Sequence, residues 1–301
     1  MRLALVINRS AGSFRTLPPD ATIAAIVQAL AAGGHEVESH LVGRRELARA
    51  LSALAARNDF DAVVVGGGDG TMLTAILAGL GRDRPLAMLP LGTLNLFARD
   101  LGLPMNPVEA ARMLGRAVPA EIDLAEVNGL PFAIWASLGM HPWIVRQRDH
   151  LQRDGMRKGR AMLLAALRAF RRYPMVDVTL TTGKDSMAVT TPLLFITNNA
   201  WREQRPPLAR QALDAGMLEI HVAACTGRLS LLWLVAEAFL GHWRASRRLQ
   251  TFTAEEVRVV SSKNRVMVSL DGEVTVMHSP LVFKVRPHAL KVLMPAPAET
   301  S

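Results

Sequence analysis

The segment that decides the fold is the decapeptide AVVVGGGDGT, residues 62–71. Its first four residues are all apolar and mostly β-branched, which is typical of a strand buried on both faces of a parallel sheet. The residues after it, Met72 to Leu80, have the apolar content of a helix that should begin at Thr71. The glycines between the two tolerate positive φ and let backbone N–H groups approach a ligand closely. The segment therefore predicts a strand, a glycine loop and a helix.

This loop has the chemistry of a phosphate site. Backbone N–H groups and the positive end of a helix dipole together attract anions such as nucleotide phosphates. A carboxylate beside an anion needs a cation, and Mg²⁺ accompanies nucleotide phosphates. A tight strand-to-helix turn without a ligand is the alternative. We expect Mg²⁺ at Asp69, and we expect ATP to bind the loop residues Gly66, Gly67, Gly68, Asp69, Gly70 and Thr71.

Two further loops follow apolar, strand-like runs. The first follows Leu3 to Ile7, and the other follows Leu86 to Leu89. Ligands in open α/β sheets bind at the carboxyl ends of strands, where such loops meet. Each loop alone could be a structural cap or turn, but three together favour a nucleotide site. The additional ATP-binding candidates are Asn8, Arg9, Ser10, Ala11, Gly12, Gly92, Thr93 and Asn95.

The pattern of the chain changes near residue 120. Short strand-like segments separated by turn residues replace the alternation of strands and helices, and helical stretches interrupt them at about 143–172 and 228–248. We predict an α/β nucleotide domain over residues 1–122 and a β-rich domain over residues 123–301, whose last residues can pack back on the first domain. The single cysteine, Cys225, fits a reducing compartment.

Composition restricts the partners. The chain has 301 residues and a formal net charge of +9, which favours anionic partners. Aromatic residues make up only 5%, and no basic run interleaves with them, so we expect no nucleic-acid partner. The apolar run Leu229 to Leu240 contains Glu237 and is too short to span a bilayer. We expect a cytoplasmic protein that associates peripherally with membranes, and the oligomeric state stays open, a homodimer included.

A pair of carboxylates lies near the C-terminus, in the sequence Leu270-Asp271-Gly272-Glu273. On a strand, residues two apart share one face. A carboxylate placed there can take the proton of an attacking hydroxyl. The alternative is a hairpin turn with Asp-Gly at its centre. We favour Glu273 as the proton acceptor, with Asp69 as the other candidate.

Four blocks together resemble the bacterial diacylglycerol kinase and lipid kinase family, relatives of eukaryotic diacylglycerol and sphingosine kinases. They are residues 8–12, 66–71, 90–95 with Phe97-Ala98-Arg99, and 270–273. The resemblance implies an α/β nucleotide domain like those of phosphofructokinase and NAD kinase, a β-sandwich-like lipid domain, and an active site in the cleft between them. It also implies ATP at the three loops, with Glu273 as the proton acceptor and Asp271 beside it.

Two positions depart from that family pattern. Leu96 stands between Asn95 and Phe97, where many members have aspartate. Ala215 stands where many members have an aspartate that helps to hold a structural magnesium, and Asp214 lies one residue early. Asp214 is therefore the candidate ligand of a second metal site that Ala215 puts in question.

The two helical stretches of the second half are candidate membrane elements. Met156, Leu163, Leu167 and Phe170 fall on one predicted helical stripe among many arginines. The second stretch contains Trp233, Phe239 and Trp243, with arginines at its end. Basic amphipathic helices can lie on anionic membranes. The alternative is that both helices pack on the β domain and leave solvated arginine faces.

These observations predict ATP-dependent phosphorylation of a lipid hydroxyl at the membrane surface, with diacylglycerol, converted to phosphatidic acid, as the leading acceptor. One alternative is a phosphotransferase like NAD kinase, which shares a Gly-Gly-Asp-Gly loop. The other is a lipid- or nucleotide-binding regulator that has lost catalysis, which Leu96 and Ala215 keep open.

Overall fold

A computed structural model describes residues 1–202, 209–225 and 227–296. The chain forms two compact units, the first from Met1–Leu124 with Pro287–Ser301 and the second from Ala125–Arg286. Two strands carry the chain from one unit into the other, β5 (Val118–Val127) and β16 (Leu281–Met294). Residues 297–301, the end of the predicted second domain, lie outside the described residues.

The first unit is a parallel sheet with helices. Its strands are β1 (Arg2–Asn8), β2 (Glu36–Val42), β3 (Ala62–Gly67) and β4 (Leu86–Pro90). They lie in the order β2-β1-β3-β4, all parallel, and Val292 of β16 pairs with Leu86 of β4. The helices are α1 (Pro19–Ala32), α2 (Leu47–Ala55), α3 (Asp69–Leu77), α4 (Leu96–Asp100) and α5 (Pro107–Leu114), with a short 3₁₀ helix at Gly12–Arg15.

Burial explains why this sheet forms. Every residue of β3 and β4 is buried, as their unbroken apolar sequences predict for central parallel strands. Edge strand β2 is only partly buried and carries Glu36, Glu38 and His40. At the start of α5, Pro107 follows Asn106, whose side chain accepts hydrogen bonds from two backbone N–H groups of the first turn. Local sequence and tertiary burial thus agree in this unit.

Within the described residues, the second unit is a β-sandwich with three helices. Its helices are α6 (Met140–Arg153), α7 (Lys158–Arg172) and α8 (Arg228–Leu240). Its strands, besides parts of β5 and β16, are β6 (Leu130–Phe132), β7 (Trp135–Gly139), β8 (Val176–Thr182), β9 (Asp185–Thr191), β10 (Leu193–Asn198), β11 (Leu218–Ala223), β12 (Leu249–Ala254), β13 (Glu256–Ser261), β14 (Arg265–Leu270) and β15 (Glu273–His278).

One core joins the two layers of this sandwich. One sheet has the order β12-β11-β10-β7-β14-β15, and the other layer contains β16-β13-β8-β9. Apolar side chains from both layers form a single buried cluster that includes Leu138, Leu180, Ile196, Val259 and Phe283. The predicted fold class, an α/β nucleotide domain followed by a β-rich sandwich-like domain, is confirmed.

Several predicted element boundaries were wrong. The helix predicted at 143–172 is two helices, because Gly155 adopts φ +88 between them. The helix predicted at 228–248 ends at Leu240, since Gly241 caps it at φ 84, and the chain then forms β12, which was not predicted. Within the described part of the chain, no helix has both the length and the apolar character needed to cross a bilayer.

Candidate active site

The three predicted ATP loops lie together at the carboxyl edge of the sheet in the first unit. They follow β1, β3 and β4, which are neighbouring parallel strands. Backbone hydrogen bonds join them, from Leu91 N–H to the Gly67 carbonyl at 2.9 Å and from Ser13 N–H to the Leu91 carbonyl at 3.0 Å. Parallel topology therefore brings together segments that lie more than fifty residues apart in the chain.

The glycine loop is compact. β3 continues to Gly67, Gly68 caps α3, and the helix begins at Asp69 rather than at the predicted Thr71. A Cβ atom on Gly67 would lie 2.2 Å from Thr71 Oγ1, so only glycine fits there. Thr71 is buried, and Asn8 Nδ2 lies 3.5 Å from its hydroxyl. At the start of α3 the Thr71 N–H donates to the Gly68 carbonyl at 2.8 Å. The N–H groups that precede it lack acceptors within the helix, as at any helix N-terminus.

The loop after β4 packs its backbone against the glycine loop. A Cβ atom on Gly92 would lie 2.4 Å from the Gly68 Cα atom. Asn95, at φ 49, holds this approach, because its Oδ1 accepts the Gly92 N–H at 2.8 Å and its Nδ2 donates to the Gly92 carbonyl at 3.2 Å. The amide of Asn95 thus serves the loop itself, whereas Thr93 is exposed at its tip.

The loop after β1 is more open. Asn8 Oδ1 accepts the Ser10 N–H at 3.0 Å, and Ala11 is buried beneath the loop. Arg9, Ser10 and Gly12 are exposed, which leaves a cation and a hydroxyl accessible to a ligand. The Arg9 guanidinium lies 3.5 Å from Asp20, and both of these side chains are largely solvent-exposed. We regard that ion pair as weak and easily replaced.

Asp69 connects the starts of two helices. It is the first residue of α3, and its Oδ1 accepts the N–H of Phe97 in the first turn of α4 at 3.0 Å. Burial raises the pKa of the Asp69 carboxyl, while hydrogen bonds from the backbone N–H groups of Phe97 and Leu96 oppose that effect. The carboxylate is therefore held in place by helix N-termini, which also compensate its charge.

The two predicted metal ligands belong to different units, Asp69 to the first and Asp214 to the second. Asp214 is exposed, and the described residues contain no group of three or more His, Cys, Asp or Glu side chains suited to a metal ion. This gives no support to a structural metal at Asp214. A nucleotide-bound Mg²⁺ needs only one or two protein carboxylates, because phosphates and waters complete its shell. Asp69 beside the glycine loop fits that smaller role.

In the second unit, the carboxylate pair lies on a two-residue hairpin. β14 ends at Leu270, which pairs with Glu273 at the start of β15. Asp271 and Gly272 have φ of 47 and 87, the two left-handed residues of a type I′ turn. The expectation that both carboxylates share one face of a strand was wrong, because Asp271 lies in the turn. Glu273 is exposed, whereas Asp271 is buried.

Asp271 sits in a cradle of backbone N–H groups. Its Oδ2 accepts the Ala133 N–H at 2.7 Å, and its Oδ1 accepts those of Ile134 and Trp135, each at 2.9 Å. In return, the Asp271 N–H donates to the Trp135 carbonyl at 2.9 Å. Three N–H donors to one buried carboxylate make a strong, rigid attachment. The turn that carries Glu273 is therefore fixed to the start of β7.

Two buried side chains hold the other side of this cradle. Arg210 Nη1 donates to the Ala133 carbonyl at 2.9 Å, and Asn198 Nδ2 donates to the same carbonyl at 3.1 Å. Neither residue, nor the segment 133–135, was predicted from the sequence as part of the site. Backbone N–H and carbonyl groups occur at almost every position, so no residue type marked the segment.

His141 lies at the start of α6 among aromatic side chains. Its ring packs against Trp135 and Phe195, and its Nδ1 lies 2.7 Å from the Ser137 hydroxyl. Burial lowers the pKa of His141 from 6.5 to about 4, with a smaller contribution from the charge of Arg148. The histidine is neutral at physiological pH.

We expect the free energy of unfolding to fall as pH drops from 6.5 toward 4. In this range the unfolded chain takes up a proton at His141 that the folded chain does not. This difference lowers the free energy of unfolding by up to about 3 kcal/mol. Urea titrations at several pH values measure it. In His141→Gln the loss should be smaller by that amount. The same pH dependence of stability in His141→Gln and in the parent would contradict the assignment.

A parallel α/β unit with glycine loops at its strand ends is followed by a β-sandwich unit, which is the architecture that the resemblance to lipid kinases implies. Comparison with known proteins agrees. The family described as the diacylglycerol kinase catalytic domain matches residues 2–127, and the one described as the YegS C-terminal NAD kinase beta sandwich-like domain matches residues 139–294. The chain belongs to this family of lipid kinases, and such kinases use ATP.

Individual relatives align over most of the chain. A probable lipid kinase YegS-like protein of Pseudomonas aeruginosa is 29% identical over 88% of this chain and 91% of its own length. A diacylglycerol kinase of Mycobacterium tuberculosis is 29% identical over 87% of this chain and 86% of its own length. The crystal structure of a diacylglycerol kinase from Bacillus anthracis aligns with a TM-score of 0.71 and 19% identity. The alignment covers 99% of this chain and 97% of the other, which supports the fold.

Proposed function

We propose that this lipid kinase converts diacylglycerol to phosphatidic acid with ATP at the surface of an anionic membrane. The observation that carries the proposal is the junction of the three loops after β1, β3 and β4, where Gly67 and Gly92 are packed too tightly for any side chain. The diacylglycerol kinase relative of similar length supports diacylglycerol as the first acceptor to test. Other lipid alcohols are the alternatives within the same chemistry.

Each loop has a distinct part in this proposal. The N–H groups at the start of α3 and in the glycine loop bind phosphate oxygens, and Arg9 adds a positive charge beside them. ATP, when bound, supplies the phosphoryl group that is transferred. Asp69 holds the start of α4 and offers the carboxylate that a nucleotide-bound Mg²⁺ needs. Asn95 acts indirectly, since it keeps Gly92 against Gly68.

Glu273 is our candidate for the group that takes the acceptor hydroxyl's proton. It is exposed, so a substrate can reach its carboxylate, and it directly follows a turn fixed by the three N–H bonds to Asp271. A general base works best when its position is held by the surrounding structure. Asp271 then acts as a positioning residue, because its own oxygen atoms are occupied by the cradle. Asp69 is the alternative base.

The test is transfer of labelled γ-phosphate from ATP to a panel of lipids in mixed micelles, with and without Mg²⁺. The panel contains diacylglycerol, a sphingoid base, ceramide and phosphatidylglycerol. We expect labelled phosphatidic acid, formed only when Mg²⁺ is present. Label in a different lipid would identify that lipid as the acceptor in place of diacylglycerol. Label in NAD, offered in a separate reaction, would indicate the NAD kinase-like reaction. ATP binding without any labelled product would contradict the proposal and favour a non-catalytic regulator.

A further inference from the structure

Exposed apolar side chains are concentrated on α7 and α8. Of eighteen large hydrophobic side chains exposed in the described ranges, nine lie on these two helices. Such a concentration of exposed large apolar side chains indicates a site that contacts a protein or a membrane. We call this set the α7–α8 face. Its members are Met162, Leu163, Leu167, Leu229, Leu232, Trp233, Val235, Phe239 and Leu240.

Helix α8 shows its apolar side outward. Leu231 and Leu234 are its only buried residues. Apart from Arg228 at its start, every residue of α8 classed as exposed is apolar, and Leu229, Trp233 and Phe239 are 74%, 62% and 66% exposed. A 13-residue helix that buries two leucines and exposes larger hydrophobic residues is not explained by packing in its own unit.

Helix α7 leaves two leucines of the predicted apolar stripe on its outer surface. Its buried residues are Ala161, Ala165 and Ala169, spaced four apart along one side of the helix. Leu163 and Leu167, predicted with Met156 and Phe170 to form one apolar stripe, are 64% and 52% exposed. Small alanines let the helix approach the unit closely, so the leucines are left on the outer surface. Helix α7 also has five basic residues and no acidic one.

The two helices are joined where α7 ends and α8 begins. Arg228 donates from Nε to the Phe170 carbonyl at 3.2 Å and from Nη2 to the Arg171 carbonyl at 2.8 Å. The Tyr173 hydroxyl donates to the Gly227 carbonyl at 3.1 Å. Ala169, Leu231 and Leu234 share one buried cluster beneath this joint. These contacts hold the end of α7 and the start of α8 together.

We propose that the α7–α8 face is the surface by which this protein inserts into anionic bilayers, an inference that rests on the proposed lipid substrate. The apolar side chains of α8 enter the acyl boundary, and the basic residues of α7 contact anionic headgroups. Charge complementarity selects this occupant over a second copy of the chain. A two-fold pair through this face would bring two strongly basic helices together, with no acidic residue on either α7.

Trp233 gives a direct readout, because it is the one exposed tryptophan in the described part of the chain. The probes are vesicles of phosphatidylcholine alone and of equal parts phosphatidylcholine and phosphatidylglycerol. We expect the emission of the full chain to shift to shorter wavelength with the anionic vesicles, and brominated lipid to quench it. Trp233→Phe should lose both signals while still sedimenting with the vesicles. No shift, or the same shift in Trp233→Phe, would overturn the proposal.

A double variant, Leu232→Ser with Phe239→Ser, tests the contribution of the face to binding. We expect vesicle affinity to fall about tenfold or more for each lost side chain. The matched control is Val276→Ser, an exposed apolar residue of the same unit on β15. Equal melting temperatures will show that the variants fold. Unchanged vesicle binding would overturn the proposal, and a change from dimer to monomer in its place would assign the face to self-association.

The same variants separate this inference from the proposed kinase reaction. With a short-chain diacylglycerol dissolved as monomers, turnover should be unchanged in the double variant, whereas turnover of vesicle-borne diacylglycerol should fall with binding. If no lipid is phosphorylated at all, vesicle sedimentation still decides whether the face binds membranes. Arg168→Gln with Arg172→Gln should weaken binding to the anionic vesicles only. Equal loss on neutral vesicles would contradict the charge argument.

Discussion

Replacing Glu273 by glutamine is expected to lower the turnover of lipid phosphorylation by about 10²–10⁴-fold. Glutamine keeps the size of the side chain and cannot accept the proton of the attacking hydroxyl. Because Glu273 is exposed at the start of β15 and its turn is held by Asp271, the fold should not change. Initial rates at saturating ATP and lipid, with ATP affinity measured separately, test the expectation.

Two further variants, one at a control glutamate and one at the neighbouring carboxylate, are needed to interpret this result. Glu256→Gln alters an exposed glutamate at the start of β13, which pairs with Lys284 at 2.9 Å, and should retain full turnover. Asp271→Asn should lower the melting temperature, because an amide can no longer accept all three N–H groups of the cradle. If Asp271→Asn keeps its stability and loses turnover while Glu273→Gln stays active, the roles of the two carboxylates are exchanged.

The sequence predicted the first unit well, since several local signals agreed. Four apolar residues before Gly66 indicated a buried strand, and the glycines that follow indicated a loop, although β3 continues to Gly67. For the second unit, the fold class was predicted correctly, but the positions where its helices end were not. Gly155 and Gly241 adopt left-handed conformations where helices end. The sequence alone does not show which conformation a glycine within an apolar pattern adopts.

The candidate site shows the same division. Gly67 occupies a position where no larger residue fits, and its residue type alone allowed the loop to be predicted from the sequence. The cradle around Asp271 is invisible there, as its donors are backbone groups 136 to 138 positions away. The sequence left open whether the leucines of α7 face outward or pack on the β domain, and the structure buries alanines and leaves the leucines exposed. Tertiary packing decided both cases.

Gly92→Ala is expected to weaken ATP binding by at least about 100-fold. An added Cβ atom would lie 2.4 Å from the Gly68 Cα atom and 2.6 Å from Asn95 Oδ1, and neither can move without displacing a loop. The nearest contact is between two backbones, and the Asn95 side chain is held by its hydrogen bonds to Gly92. The glycine loop and the loop after β4 must therefore separate. Phosphate-binding N–H groups lose their geometry when that happens. Isothermal titration with ATP measures the loss.

Gly43→Ala is the matched control in the same unit. Its Cβ atom would meet its nearest neighbour, Glu46 Oε2, at 3.6 Å, which is ordinary contact, so ATP affinity should match that of the parent. A melting temperature close to that of the parent would assign any loss in Gly92→Ala to the site. Full ATP affinity in Gly92→Ala would show that nucleotide binding does not depend on the approach of these two loops, and the proposed ATP site would have to be abandoned.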